Sequence, residues 1–243
     1  MLRLFETGHS QEDRLANDLR SVGAQVTTRN PDNPRQQLSF DSAHGHIKGF
    51  LDGIATEVPH ADAVDVLTEM KTHSSKSFKA LGKHGVAKAK QQHYAQMQLY
   101  MRQYGLKEGL YLAVNKDDED IYCEFIPYDE RYARSLLERA DVVINARTIP
   151  PRISEDPSSF ACKFCNAMDV CHNLERPVAS CRTCEHGKPM LEKGQELPMW
   201  SCAKHGHDLD LDDQKRGCSD YEVNVHLDAP SVTVAFGRDK ADK

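Results

Sequence analysis

The 243-residue sequence has no uninterrupted apolar stretch near the ~20 residues that a membrane span needs, so no transmembrane helix is expected. Its first residues, MLRLFETGHSQEDR, carry charges where a secretion signal needs an apolar core. No export signal is expected, and a cytoplasmic location follows. No internal repeat is visible, which sets aside solenoids and propellers. No cysteine precedes Cys123, so thiolate chemistry is confined to the second half. Most informative is a local absence: from Lys71 to Lys107 there is neither Asp nor Glu.

What is present is ordinary in bulk. Hydrophobic residues make up 39% and charged residues 28%, and the length suffices for one domain with a real core plus an appendage. The net charge of -6 alone argues against a nucleic-acid partner. The distribution argues the other way. The acid-free stretch holds Lys71, Lys76, Lys79, Lys83, Lys88, Lys90, Arg102 and Lys107, with His73, His84 and His93 among them. Such a segment inside an acidic protein is a local footprint for a polyanion; the plainer alternative is a solvated helix face.

Ser10 opens a helix, with Asp13 three residues on as in a capping box. Leu15, Ala16, Leu19 and Val22 follow at helical spacing, and Gly23 closes it. AQVTTR, QQLSF, HIKGFLDGIATE and AVDVLTEMK read as strands, the last two joined through VPHADA as a hairpin. VAKAKQQHYAQMQLYMRQYG reads as one long helix stopped by Gly105. GLYLAVN and DIYCEFIP are strands around the polar turn KDDED, and DERYARSLLERADVVINAR is a further helix. Cys123, mid-strand in IYCEF, reads as a buried, inert thiol. TIPPRISEDPSS marks a boundary near residue 150. The expected class is α/β (α+β), with a central mixed sheet flanked by helices. The expected domains are a core over 1–150, a cysteine-rich metal-binding module over 151–222, and a partly disordered tail over 223–243.

The segment GFLDGIATEVPHADAVDVLTEMK concentrates chemistry. Side chains alternate along a strand, so Glu69 and Lys71 share one face while Met70 points to the other. Pairing of the two strands sets Asp52 close to Glu69. Packed carboxylates repel unless a cation joins them, and hard oxygen donors suit magnesium or manganese. A lysine beside such an ion can orient a water and offset charge on a phosphate. An isolated E-x-K is usually two solvated charges; its order after G-x-x-D and before the acid-free stretch is what makes it specific.

These residues resemble the core motif of the PD-(D/E)XK nucleases, in the RecB-type and lambda-exonuclease-type branch. Gly49 and Asp52 match the G-x-x-D element, and Glu69, Met70 and Lys71 match E-x-K. Gln96 and Tyr100 match the branch's Q-x-x-x-Y, and Gly8 and Glu12 the helix before the first strand. The proline that gives the family its name is absent, with Leu51 in its place. The match covers roughly residues 8 to 105. The resemblance implies a restriction-endonuclease-like core in which Asp52, Glu69, Glu12 and the carbonyl of Met70 hold Mg or Mn. It implies that Lys71 positions the attacking water and that Gln96 and Tyr100 place the DNA strand. Lys76, Lys88 and Lys90 are candidates for phosphate contacts.

Seven of the eight cysteines lie between Cys162 and Cys218, in a pattern that reads as metal binding before disulfides. Cys181, Cys184, Cys202 and Cys218 make a four-thiolate set suited to zinc, in which His186, His205 or His207 could take the place of one cysteine. Cys162, Cys165, Cys171 and His172 make another zinc set. The first three also resemble an iron–sulfur staple of AddB-type and CRISPR-associated relatives, although those relatives take a fourth cysteine from before the core.

The reading is a metal-dependent DNA nuclease, most simply an exonuclease in DNA end processing or recombination, with a phage-type role implied by the resemblance. DNA is the expected partner, with a single-strand annealing or recombination protein beside it and no membrane. The alternatives are a non-enzymatic zinc-dependent DNA-binding protein and a structure-specific endonuclease on the same fold.

Overall fold

A computed structural model describes residues 2–42, 46–144, 146, 150–172, 177–190 and 199–224. Its contacts divide the chain into two units, Met1–Ser42 with His46–Arg139, and Ala140–Lys243. From residue 225 on, the expected tail lies outside the described residues.

The first unit begins with α1 (Leu2–Ser21), which starts eight residues before Ser10. Leu15, Ala16 and Leu19 form its buried stripe. The helix closes where Val22 and Gly23 donate back to the carbonyls of Leu19 and Arg20. Short strands follow: β1 (Gln25–Thr27), β2 (Arg29–Asn30), β3 (Asn33–Gln37), β4 (Ser39–Ser42), β5 (Ile47–Phe50) and β6 (Gly53–Thr56). AQVTTR is thus divided at Thr28, and QQLSF at Leu38, whose side chain is buried in the core.

Next come β7 (Asp65–His73), α2 (Ser75–Ala89), α3 (Gln91–Tyr104), β8 (Glu108–Asn115), β9 (Ile121–Pro127) and α4 (Glu130–Ile144). The central sheet is ordered β1-β6-β7-β8-β9. β7 and β8 are parallel, joined across α2 and α3; the other pairs are antiparallel. This is the mixed α/β sheet flanked by helices that the sequence pattern predicts.

β7 is the central strand, and Val66 to Met70 are all buried. Its alternate residues feed two cores. Val66 and Met70 join Leu110, Leu112 and Val114 against α1. Leu67 joins Tyr111 and Ala113 against Leu81, Val86, Met97, Tyr100 and Met101 of α2 and α3. Because the side-chain period is two, Glu69 and Lys71 are directed to the second of these faces.

Further local expectations are corrected. HIKGFLDGIATE is not one strand: it breaks at Leu51 and Asp52, and β5 pairs with β4 instead of joining the central sheet. The long helix is two, separated at Lys90 (φ -137°, ψ 56°). Ser75–Ala89 is helical as well, around a kink at Gly85 (φ 70°, ψ 170°). That conformation is strained for any residue with a Cβ. The chain restarts at Val86, whose amide donates to Glu124 Oε2 at 2.8 Å. Finally, Cys123 is exposed: it lies on the edge strand β9, whose side chains alternate outward.

In the second unit, α5 (Phe160–Lys163), α6 (Met168–Cys171), a 3-10 turn (Cys181–Thr183) and α7 (Leu211–Lys215) accompany a three-stranded antiparallel sheet. Its strands are β10 (Gly187–Met190), β11 (Met199–Cys202) and β12 (His207–Leu209).

Candidate active site

The antiparallel register of β6 and β7 pairs Gly53 with Thr68. One residue further, Asp52 stands across from Glu69. Leaving β6 frees its carboxylate to turn onto β7. Asp52 Oδ2 accepts from the Met70 amide at 2.7 Å and from Lys71 Nζ at 2.8 Å. Lys71 Nζ also lies 2.7 Å from Glu69 Oε1, an ion pair whose angles fall outside hydrogen-bond geometry. It donates to the Met70 carbonyl at 3.1 Å. One ammonium thus stands between two carboxylates.

Burial sets the electrostatics. Glu69 is fully buried, and neither of its oxygens has a hydrogen-bond partner among the described residues. Burial pushes its carboxyl up to about 7, the charges of Asp52 and Glu12 push the same way, and Lys71 opposes them. Burial disfavours charge on Lys71 too, yet Glu69 and Asp52 outweigh it and raise the amine above its ordinary value. The two partners therefore differ: Lys71 gains from the pair, whereas Glu69 stays short of compensation. A buried carboxylate with one cation for two anions is electrostatically incomplete.

Glu12 approaches the same place from α1. It lines a cavity of about 230 Å³ with Asp13, Thr28, Arg29, Gln37 and Asp52. Glu12, Asp52, Glu69 and the Met70 carbonyl are all hard oxygen donors, the set that magnesium or manganese takes. Among the described residues no three His, Cys, Asp or Glu side chains stand at the spacing of one ion's ligands. Between Asp52 and Glu69 the ammonium of Lys71 fills that space. The donor chemistry, and the excess of two carboxylates over one ammonium, fit a divalent cation.

Gln96 and Tyr100 share a face of α3, and Gln96 Nε2 donates to Tyr100 Oη at 3.0 Å. The tyrosine lies against β5 so closely that a Cβ at Gly49 would be 2.2 Å from its hydroxyl oxygen. Burial, then the charge of Glu69, raises the phenol to about 12. Tyr100 is therefore a neutral hydroxyl facing a carboxylate. Lys76 and Lys88 are exposed on α2. Lys90 is not displayed in the same way: its ammonium donates to Ser77 Oγ, and burial lowers its pKa.

A polar cluster went unread in the sequence. The parallel register sets Tyr111 of β8 beside Glu69. Tyr111 is fully buried, and its hydroxyl lies 2.9 Å from His73 Nε2 and 2.7 Å from His93 Nδ1. His73 Nδ1 lies 3.4 Å from Ser77 Oγ. Both histidines were visible only as members of the basic stretch, and nothing local links either to a tyrosine in GLYLAVN.

In the second unit, Cys181 opens the 3-10 turn and Cys184 follows it, Cys202 ends β11, and Cys218 follows α7. All four line one cavity of about 300 Å³, with His186 and His205. Burial raises the Cys181 thiol, and Cys218, Cys184 and Cys202 add to it. His205 donates its amide to Cys202 Sγ at 3.4 Å, and its Nε2 lies 3.9 Å from Cys218 Sγ. Among the described residues no cysteine is in a disulfide. The other group is less gathered. Cys162 is buried, Cys165 exposed and Cys171 half-buried, and no hydrogen bond links their sulfurs among the described residues. His172 Nε2 is buried without a hydrogen-bond partner among them.

No protein-family model matches the chain, and no curated protein does. Among solved structures, SSO0001 is similar at 18% identity and a TM-score of 0.40, over 66% of this chain and 68% of that one. LHK-Exo in complex with dAMP is similar at 19% identity and a TM-score of 0.35, over 56% of this chain and 69% of that one. The same enzyme described as an alkaline exonuclease, from Laribacter hongkongensis, gives 19% and 0.35, over 57% and 69%. Likeness at this level carries no argument about chemistry, which rests on the site itself.

Proposed function

We propose that the protein is a metal-dependent DNA nuclease that hydrolyses phosphodiester bonds, and that it works as an exonuclease. The observation that carries this reading is the meeting of Asp52, Glu69 and Lys71 on one face of the central sheet, where one ammonium serves two carboxylates and one of them is fully buried. Asp52, Glu69, Glu12 and the carbonyl of Met70 would hold Mg or Mn. Such an ion lowers the pKa of a bound water and polarises a phosphoryl oxygen.

The chain's own groups supply the rest. Lys71, kept as an ammonium by its two acids, is a donor and not a base. It orients the attacking water through the water's oxygen and offsets charge that builds on the phosphate. Gln96 and Tyr100, already hydrogen-bonded to each other, position the strand to be cut. Lys76 and Lys88, exposed on α2, meet flanking phosphates. Cys181, Cys184, Cys202 and Cys218 hold zinc and tie together a unit with little apolar core. Cys162, Cys165, Cys171 and His172 hold a second zinc. An iron–sulfur cluster there would instead give visible absorption. The biological role is end processing or recombination of DNA, beside a single-strand annealing or recombination protein, in the cytoplasm.

The test is incubation with linear, circular and single-stranded DNA in Mg, in Mn and in chelator. Linear DNA is degraded and closed circles are spared; Lys71→Ala removes the activity while binding persists. Equal DNA binding with no cleavage under any metal would leave the non-enzymatic alternative.

A further inference from the structure

The cluster of Lys90, Ser77, His73, Tyr111 and His93 can be joined by one run of proton donation that uses every proton within it. It begins at an ammonium, which can only donate, and Lys90 Nζ donates to Ser77 Oγ. With one lone pair so used, the serine hydroxyl turns its own proton to His73 Nδ1, 3.4 Å away. The proton on His73 then lies on Nε2, which donates to Tyr111 Oη at 2.9 Å. A phenol has a single proton, so Tyr111 donates onward to His93 Nδ1 at 2.7 Å. The proton of His93 is thereby placed on Nε2. The two lone pairs of Ser77 Oγ could take both Lys90 and His73 in the reverse order, but the serine proton would then have no acceptor within the cluster.

Both imidazoles must be neutral for this logic, and their surroundings disfavour the charged form. Burial, with the charges of Lys90 and Lys71, lowers His73 to about 4. Burial, with Lys71, His73 and Lys90, lowers His93 to about 4. The three rings lie nearly parallel: His73 and His93 are inclined by 13°, His93 and Tyr111 by 24°. The shared Tyr111 hydroxyl holds the rings in this near-parallel orientation. His93 also has the right address. It stands three residues before Gln96 and seven before Tyr100, on the same stripe of α3. Among the neighbouring charges that act on it, Lys71 is first.

We infer that His93 presents an Nε2–H donor to a non-bridging oxygen of the substrate phosphate, with Tyr111 and His73 as positioning residues that set its tautomer. This rests on the nuclease reading for the identity of the substrate, but the tautomer does not. A ring protonated on Nε2 and bonded at Nδ1 has no lone pair left, so His93 is neither a base nor a metal ligand.

Long-range proton–nitrogen spectra of the full chain near neutral pH, in chelator, test the first part; variants at His73 and His93 give the assignments. Both rings are expected as Nε2–H tautomers, and Tyr111→Phe is expected to return His93 to a mixture. Added inorganic phosphate should move the His93 Nε2–H resonance and leave His73 in place. A His93 protonated on Nδ1, or one indifferent to phosphate, overturns the inference even if the protein cuts DNA.

The second part is kinetic. His93→Gln keeps an N–H at about the same reach and should stay within about threefold of the parent, whereas His93→Ala should lose roughly 10- to 100-fold in kcat/KM. Equal losses in both, with unchanged melting, would overturn a donor role. Should the parent protein cut nothing, the nuclease reading fails, and the phosphate titration alone decides this one.

Discussion

Replacing Glu69 by glutamine removes a charge without changing shape, at a position where the charge works against the fold. The carboxyl titrates at about 7 in the folded protein, against 4.5 ordinarily. Between those values the folded state binds the proton that the unfolded chain has lost, so stability falls as pH rises through the window. At 1.4 kcal/mol per tenfold, the fall amounts to about 3 kcal/mol once pH exceeds 7. Glutamine escapes that cost but forfeits the ion pair with Lys71 and buries an amide without designed partners. The Lys71 attraction is already counted in the raised carboxyl, so the loss to set against the gain is the unpartnered amide, about 1–2 kcal/mol. The net expectation is a gain of roughly 1–2 kcal/mol near pH 8, or about 2–8 °C in melting temperature. Near pH 5 the parent carboxyl is already protonated, and glutamine should give no gain. Thermal melts in chelator at the two pH values provide the comparison. A variant destabilised equally at both would refute the claim that an uncompensated charge is buried at position 69.

Gly49→Ala should act at a distance. Its methyl would fall 2.2 Å from Tyr100 Oη, so the tyrosine must move, at a cost of roughly 1–3 kcal/mol seen in urea melts, together with loss of nuclease activity. Glu124→Ala removes the acceptor of the Val86 amide at the restart of α2. It should cost about 1 kcal/mol and quicken amide exchange at Val86. Cys184→Ser should lower bound zinc by one ion per chain by elemental analysis, and expose the second unit to protease while the first stays folded. Zinc unchanged in that variant would remove Cys184 from the ligand set.

How much of this was legible follows from the range of each interaction. The pairing of Glu69 with Lys71 is a matter of strand period, readable in five residues. So is the stripe that sets Gln96 and Tyr100 together on α3. Asp52 lies beside Glu69 for a reason the strand pattern does not show: HIKGFLDGIATE breaks at Leu51, and that break lets the carboxylate turn onto the Met70 amide. The helix at Ser75–Ala89 was hidden because Gly82 and Gly85 interrupt its period, and because its kink is capped by Glu124, thirty-eight residues away. Cys123 looked buried because an edge strand and an inner strand have the same local pattern. Tyr111 could not be connected to the site at all. Its place beside Glu69 depends on a parallel register across two intervening helices.

The most direct measurement is calorimetric titration with Mn in buffers of differing ionisation enthalpy, which counts the protons released on binding. If Asp52 and Glu69 receive the ion, Glu69 must give up its proton. Proton release per Mn should then be substantial near pH 6 and fall away by pH 8–9, with binding lost in Asp52→Asn. Binding without proton release, or binding unchanged in Asp52→Asn, would contradict the account.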